Sequence, residues 1–168
     1  RFTGGTADWG RSGLVNQTAS FGVVEVTGGT ITADTGELDE IGVTTLTVSG
    51  GSLALGDVNF TPTGAVNLTT GAFPQTAAGL TTITIGQTFT TDGDTIGSLA
   101  LAGAAGTHTL DGNLAIAGTL SLDAGEVLDI PIAPAVTSPV TIGGIVTVNG
   151  AGAILRIHND ATFGANVN

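Results

Sequence analysis

With 168 residues, 41% of them apolar, the chain is long enough to bury one core and too apolar to be disordered by composition. Its formal charge is −11, from 14 acidic residues against Arg1, Arg11 and Arg156 with no Lys. This excludes nucleic acid and anionic membranes as natural partners, since both are bound through cations. There is no Cys for a disulfide-stapled fold, and no run of about 20 apolar residues to cross a membrane as a helix.

The whole chain, 1–168, reads as a single all-β domain. Residues 1–13 hold the only Trp, Trp9, and two of the three Arg residues. They read as an extended segment that either caps the domain or docks onto another copy. Strand-sized runs follow at 23–26 and 30–33. Residues 35–42 are the best helical stretch, a turn or two long; elsewhere 28 Gly and many β-branched residues work against helix. Further strands are expected at 44–48, 52–55, 58–60, 65–68, 81–85, 88–90, 98–101, 107–110, 114–116 and 119–122. The last are at 127–130, 140–142, 145–148 and 153–157. Pro131, Pro134 and Pro139 mark a loop or an edge before the final group. Gly50-Gly51 ends one strand-sized run, and Gly56-Asp57, Asp92-Gly93-Asp94, Asp111-Gly112-Asn113 and Asn149-Gly150 supply residues that tolerate the positive φ of tight corners.

Apolar residues two apart, as in Leu53-Ala54-Leu55, Leu99-Ala100-Leu101 and Leu120-Ser121-Leu122, face one side of a strand. Runs of three to five residues are short for a β-sandwich. A parallel β-solenoid is the favoured fold, and a β-sandwich or jelly roll with donor-strand exchange is the alternative.

The stretch Thr45-Leu-Thr-Val-Ser-Gly-Gly-Ser-Leu-Ala-Leu-Gly56, then Phe60-Thr-Pro-Thr-Gly-Ala-Val-Asn-Leu-Thr-Thr-Gly71, resembles the short repeats of autotransporter passenger regions and related bacterial surface β-helices. Gly112-Asn-Leu-Ala-Ile-Ala-Gly-Thr-Leu-Ser-Leu122 is similar, and Ala7-Asp-Trp9 with Asn16-Gln-Thr-Ala-Ser-Phe-Gly22 resembles the opening of such regions. The resemblance implies a secreted, elongated surface protein and carries over no catalytic residues.

Asn16-Gln-Thr-Ala-Ser-Phe21-Gly22 is echoed by Asn159-Asp-Ala-Thr-Phe163-Gly164, as one unit of a tandem array or an end-to-end assembly would show. The apolar run Ala153-Ile-Leu-Arg-Ile157 lies near the C-terminus, and the tail 163–168 is too short and small to cover a strand edge. A solenoid with open end rungs stacks on further copies. The expected function is therefore non-enzymatic and extracellular: a subunit or repeating unit of a filament or surface layer, partnered by copies of itself through edge pairing. The alternative is a surface adhesin segment that binds glycan or matrix as a monomer.

No cofactor is expected unless it is calcium. The candidate ligands are Asp92 and Asp94 in one turn and Glu37, Asp39 and Glu40 in the densest acidic cluster. Neither group has the spacing of an EF-hand or of a Gly-Gly-x-Gly-x-Asp repeat, so solvated turn acids are the simpler account. His108 and His158 lack clustered partners and read as ordinary surface or turn histidines, not zinc ligands. Asn16, Asn59 and Asn67 stand in glycosylation sequons. No Lys is available for a phosphate loop. Ser12 lacks a nucleophile elbow, and an Asp92/Asp94 acid–base couple would have few cations or aromatics to hold a sugar.

Overall fold

A strand of three or four residues offers only two inward side chains, too few to close a core alone. Such strands are stable only when stacked on neighbours of the same kind. The computed structural model is built this way. It describes residues 1–10, 17–33, 38–68, 70–84, 88–91, 95–102, 105–111, 115–130, 140–158 and 160–168.

The chain winds around three faces. β1 (Thr6–Trp9) opens the third face, and β2 (Gln17–Val26) bends across the first and second. β3 (Thr30–Ala33) returns to the third, β4 (Leu38–Val48) again spans the first and second, and β5 (Ser52–Ala54) closes on the third. From there each face takes its own short strand. β6 (Asn59–Pro62), β8 (Leu80–Ile83), β11 (Ser98–Leu101), β14 (Leu120–Leu122) and β17 (Val146–Val148) continue the first face. β7 (Val66–Leu68), β9 (Thr88–Thr91), β12 (Thr107–Asp111), β15 (Val127–Ile130) and β18 (Ile154–Ile157) continue the second. β10 (Thr95–Ile96), β13 (Ala115–Ile116), β16 (Val140–Ile142) and β19 (Ala161–Phe163) continue the third, and between them and β5 the bridges Ser52–Ala72 and Gly56–Gln75 mark one further turn.

Every ladder between these strands is parallel. The fold is thus an all-β parallel solenoid. The sandwich alternative, which needs antiparallel pairing, is set aside. Among the described residues there is no helix; residues 38–42 of the expected helical stretch open the strand β4, and 34–37 lie outside the described residues. The expected strands at 81–85 and 114–116 are seen as Leu80–Ile83 and Ala115–Ile116, while Pro131, Pro134 and Pro139 lie outside.

The core is a set of inward columns. On the first face Ile41, Phe60, Thr81, Leu99, Leu120 and Val146 lie one above the other in register. All six are buried. The corner between the second and third faces is a stack of Gly-Gly pairs, and Gly5, Gly29 and Gly51 have φ of 84°, 76° and 83°. A Cβ on Gly51 would overlap the Gly29 carbonyl, and one on Gly29 would overlap that of Gly5. Glycine is required there twice over, by the left-handed backbone and by the closeness of the next rung.

Candidate functional site

The two ends of the solenoid are its least completed surfaces. At the first rung Trp9 and Phe21 stack with centroids 4.5 Å apart and an interplanar angle of 24°. β1 and the first half of β2 place them on adjacent faces, and among the described residues no strand pairs with the outer edge of either. They floor a cleft of about 350 Å³ that Asp8, Gln17, Thr18 and Leu38 also line. A second, smaller hollow of about 210 Å³ opens beside it, between Trp9, Phe21, Phe2, Val23 and the Arg1–Glu25 pair. Phe2 is already part of the coil: it bridges Val26 on the second face, with its N–H donating to the Glu25 carbonyl at 2.7 Å. Residues 1–10 thus form the first rung itself.

At the last rung Ile154, Phe163 and Val167 are 38%, 39% and 55% exposed. The tail does more than its size suggested. Val167 bridges Val146, and the Val146 and Val148 N–H groups donate to the Asn166 and Asn168 carbonyls, so residues 166–168 begin a new rung over β17. The free edges of β18 and β19 remain uncovered among the described residues. Around β18, Asp129 takes both His158, at 3.0 Å, and Arg156, at 3.8 Å, in a half-exposed cluster.

Two polar groups are sealed inside. His108 Nε2 lies 2.6 Å from Glu126 Oε2, and both side chains are buried. The reading of His108 as a surface or turn residue is corrected: it points inward from β12, in the column of Leu128 and Leu155. Among the described residues neither His108 Nδ1 nor Glu126 Oε1 meets a polar partner. The pair is closed to any substrate.

The other sealed group is Gln75. Its Nε2 donates to the Val58 carbonyl at 3.0 Å, and its Oε1 accepts from Thr81 Oγ1 at 3.0 Å and from the Gly97 N–H at 3.1 Å. One amide thereby ties three successive rungs and satisfies the hydroxyl of the lone Thr in the first-face column. Sequence reasoning missed Gln75 and the His108–Glu126 pair. A weak signal existed for the second: Glu126 alternates with Leu128 and Ile130, which places it on the inward side.

The predicted calcium ligands are not assembled by the described residues. Asp39 and Glu40 lie in β4 where the register slips past Asp39, a bulge that turns both side chains outward. Glu40 accepts from Thr61 Oγ1 at 2.7 Å. Glu37, Asp92 and Asp94 lie outside the described residues, as does Asn16. Among the described residues no three His, Asp or Glu side chains gather in a metal-binding group. Asn59 and Asn67 both face outward, and Asn59 Oδ1 accepts from the Leu80 N–H at 3.1 Å. The echoed motifs fall on different faces: Phe21 pairs with Val43 on the first, Phe163 with Ile142 on the third. They do not mark one position of a repeating coil. Among the described residues no helix is long and apolar enough to cross a membrane.

Compared with protein-family models, curated proteins and solved structures, the chain matches none of them.

Proposed function

We propose that this chain is a non-enzymatic structural protein of the cell exterior. It acts as a subunit or repeating unit of a filament or surface layer, held by edge pairing between end rungs. One observation carries the reading. Among the described residues the strands of the middle rungs pair on both sides, whereas β1 and β2 at one end and β18 and β19 at the other pair on one side, with Trp9, Phe21 and Phe163 incompletely buried. The resemblance to bacterial surface β-helix repeats supports the location. The charge of −11 supports the geometry, since like-charged bodies repel sideways.

Negative-stain microscopy and sedimentation over a concentration series test it. Filaments or a size that grows with concentration are expected. A single small species at all concentrations would contradict it. That second outcome favours the adhesin reading, for which the Trp9 cleft, an aromatic floor edged by Asp8 and Gln17, is the specific motive; a glycan-binding screen with Trp9→Ala as control would then decide it. Calcium enters as a variable in the same series: loss of assembly on chelation would give the acidic turns a role, and an unchanged series would remove it.

A further inference from the structure

We infer that copies stack head to tail in one register, with β19 of one copy parallel to β1 of the next. Ala161 then lies opposite Ala7, Thr162 opposite Asp8 and Phe163 opposite Trp9. The inference rests on the assembly reading above and adds the polarity and the contact residues.

The end of a coil is a step, not a flat disc. At the last rung residues 166–168 occupy the first face over β17, and among the described residues no strand pairs with the outer edge of β18 on the second face or of β19 on the third. At the first rung Phe2 bridges Val26 on the second face and β1 lies on the third, again with no described strand on its outer edge. The two sets of edges follow the same order around the axis. Two like ends would set step against step and would run their strands antiparallel, against the parallel ladders of the whole body.

Register on the third face follows from side-chain alternation. Ala161 and Phe163 continue the columns of Val140 and Ile142, so they face inward. Ala7 and Trp9 sit over Ile31 and Ala33 and also face inward. A slip of one residue would turn every one of these side chains outward. Among the registers that keep this alternation, the one inferred sets small against small and aromatic against aromatic. Phe163, 39% exposed, extends the Trp9–Phe21 stack by a third ring. On the outer side the Thr162 hydroxyl can donate to the Asp8 carboxylate.

The absence of Cys makes the test direct. Asp8→Cys and Thr162→Cys are prepared separately, mixed and oxidised, while the size of the unmodified chain is followed by sedimentation. Growth in size with a disulfide joining Asp8→Cys to Thr162→Cys is the expected result. Growth in size with disulfides only between like variants, or with none, overturns the head-to-tail register and leaves assembly standing. No growth in size overturns the assembly reading itself. Phe163→Ala and Trp9→Ala are expected to raise the concentration needed for assembly about tenfold or more, as loss of a buried aromatic contact does. A value unchanged in both would also overturn the register.

Discussion

Leu99, Leu101, Leu120 and Leu122 in the middle rungs are fully buried, while Phe163 and Val167, which also face inward in the last, are 39% and 55% exposed. The strands are alike in length, direction and alternation. What differs is the number of neighbours: among the described residues a middle rung has one on each side, an end rung one in all. Burial in this molecule belongs to the stack rather than to the residue pattern of a strand. The corner glycines repeat the lesson. Gly51 and Gly5 share a positive φ, yet a Cβ on Gly51 would strike the rung beside it and one on Gly5 would meet nothing.

Gly51→Val breaks the comparison most severely. Left-handed strain and forced separation of two rungs together cost about 5 kcal/mol, read by denaturant unfolding. Gly5→Ala carries only the strain and costs about 1 kcal/mol. If the two matched, closeness of the neighbouring rung would not be what requires glycine in the middle.

Glu126→Ala leaves His108 unpaired in the core and is expected to cost about 4 kcal/mol, whereas the double change His108→Leu with Glu126→Leu stays within about 1–2 kcal/mol of the parent. Equal losses in the single and double variants would mean that an unpaired polar group in the core is not the source of the cost.

Leu120→Ala opens a cavity between two rungs at about 3 kcal/mol. Phe163→Ala in dilute, unassembled protein costs less than about 1 kcal/mol, because the ring is half in water already. Comparable values would remove the distinction between middle and end. Thr81→Val costs about 1 kcal/mol: the methyl fits the column but the Gln75 oxygen loses one of its two donors.

Much of this architecture was legible in the residues. Short Leu-x-Leu runs ended by Gly announced inward pairs and tight corners, and Gly50-Gly51 marked a true corner. The long strands Gln17–Val26 and Leu38–Val48 were read only in their second halves. Their first halves, Thr18-Ala-Ser-Phe-Gly and Asp39-Glu-Ile-Gly-Val, mix polar residues and glycine into the pattern, and the bulge at Asp39 breaks the alternation. Thr6–Trp9 and Ala161–Phe163 were missed because their inward residues are few and lie at the ends, where local pattern is weakest. Gln75 and the partnership of His108 with Glu126 depend on which rungs come to lie side by side. A single strand carries no trace of that, because the pairs are 17 to 22 residues apart with no fixed interval.

Hydrogen exchange resolved along the chain, at two protein concentrations, tests the central claim most directly. In dilute solution the amides of Ser98–Leu101 and Leu120–Leu122 should exchange slowly, and those of Thr6–Trp9, Ile154–Ile157 and Ala161–Phe163 fast. On concentration the first and last strands should slow together while the middle stays unchanged. End strands as protected as the middle in dilute solution, or unaffected by concentration, would contradict the account.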